Sequence, residues 1–152
     1  MGFRLETCTT LIVDTGVLYA EHDTDATRHE AATTALDAVY DGEFGQPYVS
    51  DFIFDETITL TQTRTGSFDV AARLSDRLLG HEGFPQVFEL LRVSAGPFSD
   101  AVDVFERYDD QELSFTDATT VALAERHGID RVLSFDDDFN GIAPRLDPAT
   151  LA

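Results

Sequence analysis

The sequence predicts a three-layer α/β fold with a mainly parallel central sheet flanked by helices, and three observations carry that prediction. Short apolar runs that do not alternate, Leu11-Ile12-Val13 first among them, have the pattern of strands buried on both faces. Between them lie longer stretches with helical spacing of apolar residues and capping signals at their ends. The chain has 152 residues, 43% of them apolar, which suits a single domain over residues 1–152 with its organised core at about 9–146.

Residues 9–13 form the first strand, and Asp14-Thr15-Gly16 turns the chain into a short helix through Val17, Leu18 and Ala20. Residues 25–40 read as a helix capped by Thr24 or Asp25, with Ala31, Ala32, Ala35, Leu36 and Val39 on its apolar side. Asp41-Gly42 stops it, and Pro47 to Ser50 make the second strand. A helix over about Asp51–Arg64 follows, with Ile53, Thr57 and Leu60 along one stripe and Gly66 at its end. Ser67 caps the next helix, whose inner face is Val70, Ala71, Leu74 and Leu78. Gln86 to Val93 alternates loosely and reads as a strand. Pro97 sits near the start of another helix with Ala101, Val104 and Phe105 inward. Leu113 to Thr116 leads into a helix over 116–127 closed by Gly128, Arg131 to Ser134 is the last clear strand, and Ala143 to Leu146 adds an edge strand.

The charge balance is unusual: 29 acidic residues face 10 basic ones, a formal charge of -19, and every basic residue is arginine. Such a surface repels itself unless counterions screen it, which fits a salt-rich cytoplasm. Bulk charge cannot hold a polyanion on it, so a nucleic acid would have to be bound through metal ions and a few local arginines. The missing lysine excludes a Walker-type phosphate loop. Cys8 alone makes neither an internal disulfide nor a thiolate zinc site, and reads as a half-buried thiol near the first strand. His22, His29, His81 and His127 lack zinc spacing. No apolar run approaches the ~20 residues that span a bilayer, and the start of the chain is not a secretory signal. The expectation is a soluble cytoplasmic protein without membrane contact.

Ligands of open parallel sheets sit beyond the carboxyl ends of the strands. Four acids fall there or one helical turn past it. Asp14 directly follows Leu-Ile-Val, and Asp136 repeats that geometry after Arg131 to Ser134 and Phe135. Glu56 lies about 60° from the Ile53/Leu60 stripe, at the margin of a buried face where a lone carboxylate is costly. Its neighbour Asp55 points further away. Asp117 is in line with Val121 and Ala124 and so faces inward, although Ser114-x-x-Asp117 also reads as a capping box. Asp138 is an auxiliary candidate, and Asp137 is expected in solvent. Each acid alone has a bland reading as a turn, cap or surface residue. Together they suit hard divalent cations, which need several oxygen ligands, and two such ions roughly 4 Å apart promote phosphodiester hydrolysis.

In their order and spacing, Leu-Ile-Val-Asp14-Thr-Gly-Val-Leu, Val-Ser-Asp-Phe-Ile-Phe-Asp-Glu56-Thr, Leu-Ser-Phe-Thr-Asp117-Ala and Val-Leu-Ser134-Phe-Asp136-Asp-Asp-Phe resemble PIN-domain proteins of the VapC toxin type, over about residues 9 to 146. The resemblance implies a PIN fold and Mg²⁺- or Mn²⁺-dependent endoribonuclease activity. It implies metal ligation chiefly by Asp14 and Asp117, with Glu56 and Asp136 completing the cluster and Ser134 and Thr15 supporting it. It further implies an RNA substrate, a co-encoded antitoxin that blocks the site, and a homodimer. The competing expectations are a non-catalytic PIN-fold binding or assembly module, and a PIN nuclease of RNA processing outside toxin–antitoxin systems. Asp14-Thr-Gly also looks like the loop of retroviral-type aspartic proteases, but those are β-rich and this chain has at least four helices.

Overall fold

The computed structural model describes residues 9–151, so Cys8 lies outside the described residues. In chain order the elements are β1 (Thr10–Val13), α1 (Thr15–Tyr19), α2 (Ala26–Tyr40), β2 (Gln46–Ser50), α3 (Asp51–Thr65), α4 (Phe68–Leu79), β3 (Glu89–Leu91), α5 (Ala95–Arg107), α6 (Phe115–His127), β4 (Arg131–Leu133) and β5 (Arg145–Leu146), with 3₁₀ turns at Ala20–His22, Asp137–Phe139 and Pro148–Leu151.

The five strands form one sheet in the order β3-β2-β1-β4-β5, and every pairing is parallel. Strand order runs outward from β1 in both directions, so the chain reverses its winding between β1 and β4. That switch point opens a crevice at the carboxyl edge. Val13 pairs with Leu133 there, and the Asp14 amide donates to the Leu133 carbonyl at 3.0 Å. Asp14 and Ser134 are therefore the first residues beyond the sheet on two adjacent strands.

The apolar runs become the centre of the core. Leu11, Ile12, Val13, Val132 and Leu133 are fully buried between helices on both faces. Helix α6 is buried at every residue from Asp117 to Ala124, so it is a central helix with no wet face in that stretch. The helix starts are set by side chains: Asp25 accepts from the Thr27 and Arg28 amides, Ser50 from Ile53, and Ser67 from Val70. Gly45 enters β2 with φ 76°, and a Cβ there would collide with the Thr9 carbonyl that receives the Gln46 amide.

Several elements differ from their sequence expectation. The strand expected over Gln86–Val93 shrinks to Glu89–Leu91, because only that stretch pairs with β2. Along α3 the fully buried stripe is Ile53, Thr57 and Thr61, at steps of four, and Leu60 is half-buried. On α5 the inner face is Pro97, Ala101 and Val104, while Phe105, about 100° further round, is 44% exposed instead of inward. The edge strand expected over 143–146 narrows to Arg145–Leu146. Among the described residues no helix is long and apolar enough to cross a membrane.

Candidate active site

Asp14 is the N-cap residue of α1, and its carbonyl takes the Val17 and Leu18 amides, but its side chain makes no capping bond. The carboxylate is left for the crevice. It is 7% exposed, and its Oδ2 accepts a hydrogen bond from the Ser134 hydroxyl at 2.7 Å. Ser134 Oγ in turn accepts the Asp136 amide at 3.0 Å. One buried hydroxyl thus connects the residue after β1 to the loop after β4. Asp136 caps the 3₁₀ turn that follows, accepting the Asp138 amide at 2.9 Å.

Asp117 is 9% exposed at the start of α6. It takes part in the capping box with Ser114: its amide donates to Ser114 Oγ at 3.0 Å, and its Oδ2 accepts the Ser114 amide at a long 3.3 Å. The capping reading and the inward-facing reading of this residue therefore hold together.

Burial sets the electrostatics. It pushes the Asp14 carboxyl up to about 6, opposed by the Ser134 hydroxyl and the Thr15 backbone and helped by the charges of Glu56 and Asp136. Burial likewise pushes Asp117 up to about 7, helped by the charges of Asp14 and Asp136 and opposed by Ser114. Asp138 is raised by the charge of Asp136. Among the described residues the ion pairs are Arg77–Glu21, Arg126–Asp100 and Arg145–Asp147, none of which includes one of these acids, although Arg145 also donates to the Ser134 carbonyl at 3.0 Å. Asp14 and Asp117 thus face like charges with no ion-pair partner of their own among the described residues.

Asp14, Asp117 and Asp136 lie within reach of one another's charge, and Glu56, exposed on α3, acts on Asp14; its neighbour Asp55 is also exposed. The set is open. Among the described residues, three carboxylates with ligand oxygens all within 4.8 Å of one another occur at Asp136, Asp137 and Asp138 instead. Thr15 is buried beside Asp14, and its Oγ1 has no hydrogen-bond partner among the described residues; the same is true of Thr57, next to Glu56. Open oxygen-only donors with an orphaned hydroxyl alongside fit a hard divalent cation that keeps some of its water, and suit a thiophilic metal poorly.

Two neighbours were not identified from sequence. Ser114 orients Asp117, which the Ser-x-x-Asp spacing signals, but only as a helix start. Arg28 lies over the Phe135 ring at 4.9 Å, beside Ser134 and Asp136, and nothing in its sequence context marks it.

An all-parallel sheet with buried acids at its switch point defines the class, and comparison with known proteins agrees. The PIN domain model matches residues 11–143, and the chain belongs to the PIN domain family. It is 29% identical over 126 residues to ribonuclease VapC26 of Mycobacterium tuberculosis, covering 83% of this chain and 86% of that one. It is 32% identical over 91 residues to the 23S rRNA-specific endonuclease VapC20 of the same organism, covering 60% of this chain and 65% of the relative. The crystal structure of VapC20, a sarcin-ricin loop cleaving toxin, superposes with a TM-score of 0.71 at 26% identity, covering 88% of this chain and 99% of that one. A toxin–antitoxin complex from Klebsiella pneumoniae shares the fold, with a TM-score of 0.63 at 19% identity over 91% of this chain and 97% of that one.

Proposed function

We propose that this chain is a VapC-type endoribonuclease, the toxin of a toxin–antitoxin pair, acting as one domain over residues 1–152. The observation that carries the reading is the pair of buried carboxylates without an ion-pair partner among the described residues, Asp14 and Asp117, at the switch point, with Asp136 directing further negative charge at both and Glu56 at Asp14.

Asp14 and Asp117 would hold Mg²⁺ or Mn²⁺, with Glu56 and Asp136 completing the set and Thr15 and Asp138 at its edge. Such an ion supplies a Lewis acid for phosphate oxygens and lowers the pKa of water. The residues do the remaining work. Ser134 fixes the Asp14 carboxylate by its 2.7 Å hydrogen bond, and Ser114 fixes Asp117 at the first turn of α6. The reading is direct hydrolysis of an RNA phosphodiester by water, with no covalent enzyme intermediate. A cognate antitoxin, a homodimer and an intracellular location belong to the same proposal and rest on the relatives' character.

The test is cleavage of RNA by the purified chain with Mn²⁺ or Mg²⁺ and with EDTA, alongside Asp14→Asn and Asp117→Asn. Metal-dependent cleavage lost in both variants is the expected result. Cleavage that persists in EDTA, or in both variants, overturns the assignment.

A further inference from the structure

A cation stands at the rim of the acidic basin. Arg28, in the first turn of α2, places its guanidinium 4.9 Å from the centroid of the Phe135 ring. Phe135 is half-buried between Ser134 and Asp136 in the chain, and a Cβ at Gly16 would lie 4.0 Å from its Cδ2. The ring therefore lies against the turn that follows Asp14, and Arg28 lies over the ring.

Helix stability does not account for a cation there. The positive end of the helix dipole disfavours it, and the capping Asp25 takes the Thr27 and Arg28 amides on one oxygen without pairing the guanidinium. Arg28 is exposed, and among the described residues its guanidinium enters no ion pair and no hydrogen bond, in a chain with 29 acids. Other arginines are placed differently. Arg77 and Arg126 are in ion pairs, and Arg145, which also reaches the Ser134 carbonyl, is committed to Asp147 and Asn140. Arg64, Arg73 and Arg107 stack on Tyr19, Phe84 and Tyr108, none of them in the loop after β4. A guanidinium over a ring keeps its N–H donors at its own edge, open to a bidentate contact with a phosphate. Arg28 is in no ion pair with Asp14, Asp117 or Asp136, so it stands off the group that would hold the metal. With a formal charge of -19 the surface as a whole does not attract a polyanion, so a single uncommitted cation beside the basin decides where the backbone lies.

We propose that Arg28, set over Phe135, binds a backbone phosphate flanking the phosphodiester that lies over Asp14 and Asp117, and so fixes the register of the RNA strand on the basin. This rests on the endoribonuclease reading. Phe135 is a positioning residue that acts through the guanidinium. The contact is to phosphate, so it positions the strand and carries no preference for a base.

The test compares Arg28→Gln, Arg28→Lys, Phe135→Leu and the double variant Arg28→Gln/Phe135→Leu with wild type. The readouts are kcat and KM with Mn²⁺ on a short single-stranded RNA, the Kd of the same RNA by fluorescence anisotropy with Ca²⁺ in place of Mn²⁺ at several KCl concentrations, and the melting temperature. Arg28→Gln should raise KM and Kd about tenfold and lower kcat far less. It should also make the slope of log Kd against log salt shallower by about 0.7, the value of one phosphate contact on a single strand. Arg28→Lys should keep the slope and recover part of the affinity, because it keeps the charge and loses the fork. Phe135→Leu should raise KM on its own and add nothing to Arg28→Gln. Unchanged KM, Kd and slope in Arg28→Gln overturn the contact and leave the nuclease reading standing. A loss that is independent of salt, shared by Arg28→Lys and accompanied by a lower melting temperature also overturns it, and makes the stack a structural contact. An effect of Phe135→Leu that adds in full to Arg28→Gln overturns the role of the ring. Binding that follows the Arg28 charge while wild type cleaves no RNA keeps the phosphate contact and defeats the nuclease reading.

Discussion

Two aspartates stand at opposite ends of the β1–β4 pair, and their surroundings treat the same side chain in opposite ways. Asp130, just before β4, accepts the Thr9 amide at 2.9 Å and the Thr9 hydroxyl at 3.1 Å on one carboxylate oxygen. Its own amide donates to Thr10 Oγ1 at 2.9 Å. The Thr9 backbone and then its hydroxyl hold the Asp130 carboxyl below its usual range. Asp14, just after β1, is buried, receives one side-chain hydrogen bond and faces further acids, so its carboxyl is raised. The first aspartate fastens two strands together. The second is held in a state that its surroundings disfavour. Position at a strand end does not separate a structural carboxylate from a candidate ligand; the supply of donors and the neighbouring charges do.

The sharpest way to break this comparison is to neutralise each member. Asp14→Asn should lower metal-dependent RNA cleavage by at least about a thousandfold while raising the melting temperature of the metal-free protein, since it removes an unfavourable buried charge. Asp130→Asn should leave cleavage within about twofold of wild type. Activity assays and thermal melts in EDTA check both, and a melting temperature lowered by Asp14→Asn would show that its charge is compensated after all.

Next in size is the orienting hydroxyl. Ser134→Ala removes the hydrogen bond to Asp14 and should weaken Mn²⁺ binding or cleavage by about 10–100-fold. Calorimetric titration with Mn²⁺ would reveal a null effect, and with it a merely structural Ser134.

The pH dependence of stability separates the two aspartates by sign. Asp14 and Asp117, raised from 3.8 to about 6 and about 7, bind more protons folded than unfolded. Their contribution is fully present below about pH 4 and is lost as pH rises through 6 to 7, so the metal-free protein should lose several degrees of melting temperature over that window. Saturating Mn²⁺ should flatten this slope, and Asp14→Asn should reduce it. Asp130 is lowered, so its contribution is present above about pH 4 and is lost on acidification. The smallest effect is that loss, under about 1 kcal/mol for an exposed carboxylate, measurable as a shift in urea midpoint for Asp130→Asn.

The fold was legible where the chain is most buried. Leu11-Ile-Val13 announces a two-faced strand because nothing polar interrupts it, and Ser50, Ser67 and Gly128 mark helix ends by chemistry that acts locally. Leu60 and Phe105 were placed inward because helical spacing leaves neighbouring positions nearly degenerate. Which of Leu60 and Thr61, or of Val104 and Phe105, turns inward depends on the partner helix. Strand-end position and family resemblance nominate Asp14, Glu56, Asp117 and Asp136 as a set, and the proposal keeps that set. Their mutual repulsion was not legible, because burial and distance belong to the folded chain. The ring contacts of Phe115 with Phe52, Phe98 and Phe105 were invisible for the same reason, since they join three helices.

The hydrogen bond between Ser134 and Asp14 joins residues 120 positions apart. On a ribosome, Asp14 is made early and has to wait for β4 to be threaded in beside β1 before the pocket exists. A polypeptide stalled between His127 and Arg131 would carry all six helices and three of the five strands, yet lack the strand beside β1 and the hydroxyl that fixes Asp14. Timing is thereby written into connectivity: the last piece of sheet to be synthesised beside β1 completes the surroundings of a side chain made more than a hundred residues earlier.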